Sequence, residues 1–191
     1  MTDVTQLMSA MRQGDAAARE ALFALLYREL KQMARGKLFA QGDAHRMSAT
    51  TLVHETYLKL MQAGQLRAAS RGQFFALAGQ TMRSIIIDEA RERLAAKRGG
   101  GQTVLSLDTA LDSPQADPGA LSDEDLLALN GALDLLALAD ERMARVVELK
   151  FFGGLSVEEV ADALDCSPRT IKRQWQAARA FLLGCLDESR P

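Results

Sequence analysis

Residues 155–182, LSVEEVADALDCSPRTIKRQWQAARAFL, carry two short helical patterns with only three residues of turn between them, and that spacing leaves few ways to fold. Ser156 is placed to cap the first helix, with Glu158 and Glu159 in the first turn, where carboxylates suit the positive end of the helix dipole. Val160, Ala161 and Leu164 recur at helical spacing, which makes one apolar stripe. Leu164-Asp165-Cys166 reads as the turn. Ser167 then caps the second helix, and Pro168 takes its first position, where a missing N–H removes no helix bond. Ile171, Trp175 and Ala178 face inward in this register, leaving Arg169, Thr170, Lys172, Arg173 and Gln176 outward. A short helix with Arg, Lys and Gln on its free face suits a DNA major groove. A solvated amphipathic hairpin is the plainer reading. The small Ala161, the tight turn and the cap together favour a helix-turn-helix.

The rest of the 191-residue chain is also helical in pattern. Hydrophobic residues make up 48% and aromatic residues only 5%, with Leu and Ala dominant, so an all-α fold with a substantial core is expected. The spacing predicts helices over 5–13, from Asp15 as cap to about 38, over 52–60, from 74 to about 97, over 126–138 and over 141–152. No strand pattern is persuasive. No apolar run approaches the roughly 20 residues of a membrane span. The first residues form no signal-peptide core, so a cytoplasmic location is expected. Cys166 and Cys185 form no CxxC pair, and His45 and His54 lie far from them, so no metal or cofactor is expected.

Charge divides the chain. Residues 1–98 hold 15 Lys+Arg and 9 Asp+Glu, net +6; residues 99–141 hold no base and 9 acids, net −9; residues 142–191 hold 8 and 7, net +1, which together give −2. A basic front suits nucleic-acid contact. The stretch 99–122 opens on three glycines and carries two prolines and clustered Asp, which is turn chemistry. It reads as a flexible acidic linker between two small helical domains, 1–98 and 123–187, with Ser122 capping the first helix of the second. From Arg67 to Arg98 there are seven bases against three acids, beside Phe74 and Phe75. Aromatic rings next to a basic helix can serve single-stranded DNA, although two adjacent Phe are more often core.

Four segments in this order, GDAAAREALFALLYREL (14–30), LVHETYLKL (52–60), FFALAGQTMRSIIIDEARERLAAKRGG (74–100) and GGLSVEEVADALDCSPRTIKRQWQAAR (153–179), resemble a bacterial RNA polymerase sigma factor of the extracytoplasmic-function (ECF) type. The KRGG run followed by Val104–Asp108 is similar to a sub-branch that often lacks a typical anti-sigma partner. The resemblance implies core RNA polymerase and promoter DNA as partners and no enzymatic activity. It implies that Leu52, Val53, His54, Glu55, Tyr57 and Lys59 dock on the clamp of the largest polymerase subunit. Arg67, Arg71, Phe74, Phe75, Arg83, Asp88 and Arg91 would open and read the minus-ten element. Arg169, Thr170, Lys172, Arg173, Gln176 and Arg179 would read the minus-thirty-five element.

Two departures from the family pattern carry expectations of their own. Many relatives have an acidic cluster before the docking helix, where this chain has Ser48-Ala49-Thr50-Thr51. Phosphorylation of Thr51, or of Thr50, would restore about −1.5 to −2 charges there. A Ser/Thr kinase is therefore an expected partner, against the plainer reading of Thr51 as a helix cap. Asp165 replaces the glycine common in the turn, and Asp tolerates the left-handed conformation better than most residues. The alternative to a sigma factor is a free-standing helix-turn-helix regulator. An enzyme with an appended DNA-binding domain finds no support, since His54 and Glu55 lie beside Tyr57 but point different ways around a helix.

Overall fold

The computed structural model describes residues 4–34, 47–62, 71–96, 111 and 121–187. Among them there is no strand, in keeping with the expected all-α class. The helices are α1 (Val4–Arg12), α2 (Ala16–Ala34), α3 (Ala49–Gln62), α4 (Arg71–Ala96), α5 (Asp123–Ala139), α6 (Glu141–Val147), α7 (Val157–Ala163) and α8 (Pro168–Asp187).

The helix ends follow from local chemistry. After α1, Gly14 takes φ +90, its N–H meets the Met11 carbonyl at 3.1 Å, and the Asp15 N–H meets the Ala10 carbonyl at 3.2 Å. These two bonds close a Schellman ending, which needs a left-handed residue where Gly14 sits. Asp15 then caps α2, its Oδ1 accepting from the Ala17 and Ala18 N–H groups at 2.9 and 3.1 Å. Ser122 caps α5 by accepting the Asp125 N–H at 2.9 Å, and Asp140 caps α6 by accepting the Met143 N–H at 3.0 Å.

One expected helix is two. The 141–152 segment is α-helical only to Val147, and Glu148–Phe152 form a π-helical turn closed by Gly153 N–H on the Glu148 carbonyl at 2.8 Å. Glu148, Leu149, Lys150, Phe151 and Phe152 are all buried. An α-helix turning 100° per residue exposes some of any five consecutive residues on a one-sided core. Here the wider turn sits among α4, α6 and α7, so it has core on several sides.

Packing runs along the chain, α1 on α2, α2 on α3 and α3 on α4. Then α4 crosses onto α5 and the π turn, while α5, α6 and α7 pack on α8. The buried apolar residues form one cluster from Leu22 to Leu182, and it spans the boundary expected at 99–122. Leu111 and Leu121, inside that stretch, are 1% and 0% exposed, so at these two positions it contributes to the core. The three glycines and the prolines read as a linker lie outside the described residues, as do His45 and Lys97.

The 155–182 segment folds as its punctuation predicts. Ser156 and Glu159 form a reciprocal capping box, Ser156 Oγ accepting the Glu159 N–H at 3.1 Å and Glu159 Oε2 accepting the Ser156 N–H at 2.8 Å. Asp165 takes φ +50, and the Cys166 N–H bonds the Ala161 carbonyl at 3.0 Å, which ends α7 in the left-handed manner. Ser167 Oγ accepts the Thr170 N–H at 3.2 Å and starts α8. Asp165→Gly is expected to raise stability by roughly 0.5–1 kcal/mol, since a side chain in the left-handed region costs about that much beyond glycine's added chain entropy. Urea unfolding checks it; a loss of stability would show that the Asp165 carboxylate does something the turn needs.

Candidate nucleic-acid interface

Three surfaces hold the expected site residues. The first is the free face of α8. Arg169, Lys172, Arg173 and Gln176 are exposed, and Thr170 and Arg179 are half-buried. Opposite them Ile171, Ala178 and Leu182 are fully buried. Trp175 is only half-buried, and Lys150 Nζ lies 4.6 Å from its ring centre. That contact keeps a cation on an aromatic face, where burial pushes the Lys150 amine below its ordinary range. The buried side of α8 is thus anchored on α5, α6 and α7, and the basic side is left clear.

The second surface is α4, where several of the expected residues lie buried or paired. Phe74 and Phe75 are 2% and 5% exposed and pack edge to face at 5.6 Å, so in this conformation they are core and present no ring to a base. Arg67 lies outside the described residues. Arg71 begins α4. Arg83 does not face solvent either. Its Nε donates to Asn130 Oδ1 at 3.0 Å and its Nη1 to Glu148 Oε1 at 3.0 Å. Its Nη2 donates to the Asn130 carbonyl at 2.9 Å and to Asp134 Oδ1. These partners belong to α5 and the π turn. The physical reason is complementarity: the base stands where α4 meets the acidic segment. Asp88 and Arg91 stay accessible. Asp88 takes Arg91 Nη1 at 3.2 Å and lies 3.6 Å from Lys59 of α3.

Gln80, Arg83, Ser84, Asp88 and Arg91 form one wall of an open cleft of about 240 Å³, and Asn130, Asp134 and Glu148 form the other. Glu148 is the buried pole of this site. Burial pushes its carboxyl above the ordinary carboxylate range, more strongly than Arg83 and Arg145 pull it down, with Asp134 adding to the rise. A raised folded value means that the group favours the fold in acid and loses that contribution as pH rises through the raised value. Glu148→Gln removes this dependence. The melting temperature of the parent relative to Glu148→Gln is therefore expected to improve as pH falls from 7 through the carboxylate range. A difference that stays constant with pH would show that Glu148 titrates alike folded and unfolded.

A second tie lies one helical stretch further on. Arg93 Nε and Nη2 reach Asp123 Oδ1 at 3.1 and 2.7 Å, and Arg93 Nη1 lies 3.0 Å from Glu89 Oε1. Burial alone would lower the Arg93 guanidinium, but the bonds and charges of Asp123, then Glu89, hold it above its ordinary value. Glu89 Oε1 also accepts the Met47 N–H at 2.9 Å, which fixes the approach to α3.

The third surface is α3. Leu52 and Val53, expected to dock, are 0% exposed and belong to the core with Thr56 and Leu60. The α-helical period puts them opposite the free face. That face carries Thr50, Thr51, His54, Leu58 and Lys59, with Glu55 and Tyr57 half-buried. Leu58, 40% exposed, was not among the expected residues. Its signal was positional, four residues after His54. The cap of α3 is Ser48, whose Oγ accepts the Thr51 N–H at 3.1 Å and meets Thr51 Oγ1 at 2.9 Å. Thr51 is therefore in the first turn and is not the cap.

Asn130, Asp134 and Glu148 were also missed. For Asp134 the signal was the −9 charge of the 99–141 segment beside a +6 front, which fits contact between the two as well as contact with nucleic acid; Asn130 is uncharged and Glu148 lies in the near-neutral last segment, so neither carried that signal. Among the described residues no group of His, Cys, Asp and Glu could hold a metal ion, and no helix is long and apolar enough to cross a membrane.

The structure thus presents two capped helices joined by a tight turn, the second with a free basic face, and a helix with basic residues lining a cleft. The chain matches the ECF sigma factor family over residues 1–187 and belongs to it, which gives it a role in transcription initiation. No match was found among curated proteins or solved structures.

Proposed function

We propose that the chain binds core RNA polymerase through α3 and directs it to promoters through α4 and the α7–α8 pair. The observation that carries this reading is the free face of α8, where Arg169, Lys172, Arg173 and Gln176 stand clear on a helix anchored from behind. In this reading α7 and α8 are a helix-turn-helix and α8 lies in the major groove at the minus-thirty-five element. Arg91, Ser84 and the neighbouring part of α4 meet the minus-ten element. The helices up to α4 and those from α5 on act as two units, each with its own promoter element.

Docking uses the free face of α3, with His54, Glu55, Tyr57, Leu58 and Lys59, while Leu52 and Val53 support it from the core. The start of this helix carries no acid. Phosphorylation of Thr51 or Thr50 by a Ser/Thr kinase adds about −1.5 to −2 charges at a helix N-terminus, where the dipole favours them. Both threonines are exposed, which a kinase requires.

The test is affinity for purified core polymerase of the unmodified chain, Thr50→Glu, Thr51→Glu and kinase-treated protein. Tightening by Glu or phosphate supports both the docking face and the switch. Tight binding of the unmodified chain removes the switch and keeps the sigma factor. Binding by no form makes the chain a free-standing regulator.

A further inference from the structure

We propose that Lys150 is a positioning residue for promoter recognition: its ammonium, seated on the Trp175 ring from the π turn, sets the roll of α8 and so the aim of the basic side chains on its free face. The inference rests on reading α8 as the helix that lies in the groove of the minus-thirty-five element.

Stability alone gives no account of this lysine. Lys150 is 6% exposed and stands between Leu149 and Phe151, both at 0%. Taking an ammonium out of water is costly, and an apolar side chain of similar length would fill the same volume without that cost. What Lys150 touches is α8. Its Nζ lies 4.6 Å from the centre of the Trp175 ring, within the range of a cation–π contact.

The turn that carries Lys150 is fixed on both sides. The Gly153 N–H bonds the Glu148 carbonyl at 2.8 Å, and the Leu155 N–H bonds the Leu149 carbonyl at 3.1 Å. Phe151 and Phe152, edge to face at 5.1 Å, are buried next to it. Single π turns occur frequently at functional sites.

Trp175 sits where such a hold has leverage. Its neighbours three and four residues away on α8 are Ile171 and Ala178, both buried, and Lys172 and Arg179, exposed and half-buried. The ring therefore lies on the border between the anchored side of the helix and its basic side. Shifting the ring rolls the helix, and a bidentate contact from arginine to a base edge tolerates little rotation. Apolar burial is non-directional, whereas a cation over a ring face fixes both a distance and a side.

Lys150→Met tests this, since it keeps the length of the side chain and removes the charge. The full chain in complex with core polymerase selects from a fully randomised duplex library. The selected sequence is then compared with its single-base variants in the minus-thirty-five element. Lys150→Met is expected to lose about tenfold of the parent's discrimination, within the range for a residue that does not touch the ligand. Its urea midpoint is expected at or above the parent's. Lys150→Arg, which stacks on a ring as well, should keep the discrimination. Trp175 is the chain's one tryptophan, so its emission reports the contact and should differ between the parent and Lys150→Met. Trp175→Phe keeps a ring with a weaker pull on the cation and should lose part of the discrimination, and adding Lys150→Met to it should cost little more.

Unchanged discrimination in Lys150→Met would overturn the proposal. So would a loss that comes with a lowered midpoint, a Lys150→Arg protein no better than Lys150→Met, or losses at 150 and 175 that simply add. A parent complex that selects no sequence sinks the reading of α8 and this inference with it. A selective parent matched by Lys150→Met sinks this inference alone.

Discussion

Arg83→Ala is expected to lower the free energy of unfolding by about 3–5 kcal/mol, the usual cost of removing one partner from a buried ion pair. For a chain of this size that corresponds to a melting temperature lower by roughly 6–20 °C. The loss arises from what is left behind. Glu148 has a side chain 6% exposed, and Arg83→Ala takes away the guanidinium that bonds it at 3.0 Å. Its carboxyl already sits above the ordinary range because burial outweighs its neighbours. Once Arg83 is gone it takes up a proton more readily, which limits the damage. A second substitution, Glu148→Gln, should therefore recover part of the loss, with a coupling of about 0.5–3 kcal/mol in a double-mutant cycle. Urea unfolding of the four proteins gives the number. A single variant within about 0.5 kcal/mol of the parent would show that the Arg83 network contributes nothing to the fold.

Arg173→Ala is expected to cost about 1–3 kcal/mol in promoter binding by the polymerase complex, and to relax preference at one base position. Lys172→Ala should weaken all promoters alike and reduce the salt slope by about one counterion. The two neighbours differ in what they are taken to meet, a base edge for Arg173 and a phosphate for Lys172. Both are exposed on α8 and neither belongs to its buried side, so folding should be spared. Binding of a set of promoter variants at several salt concentrations separates the two effects. If Arg173→Ala weakened every promoter equally, Arg173 would be a backbone contact.

The helices were legible where the signal is local. Caps at Asp15, Ser122, Ser156 and Ser167 were readable because a short polar side chain before an apolar period has one structural use. Asp165 was readable as a left-handed turn residue for the same reason. The expected length of the 141–152 helix was wrong because a π turn depends on what surrounds it, and ELKFF reads as helix on any local rule. Which of the candidate residues face solvent was legible only in part. The basic face of α8 was correct in orientation, since its opposite face is apolar. Leu52 and Val53 were placed on a docking face by family pattern, while burial puts them in the core; Phe74 and Phe75 are buried as well, in keeping with the plainer reading of two adjacent Phe. Arg83 shows the limit most clearly. A base on a helix says nothing of which acid will reach it, and Asn130, Asp134 and Glu148 lie 47 to 65 residues away.

Leu135 at 54% and Leu138 at 86% exposed lie on α5 outside the core. This helix carries Asp123 and Asp134 toward α4 and packs its other side on α8.

As proposed, this chain gives promoter specificity to RNA polymerase. The most direct measurement is transcription in vitro from fragmented genomic DNA by purified core polymerase, with and without the purified chain, mapping the 5′ ends of the products. The account predicts defined start sites that appear only with the chain present and that are lost together when α8 carries Arg169→Ala and Arg173→Ala. Start sites unchanged by adding the chain, in its unmodified and kinase-treated forms alike, would contradict it.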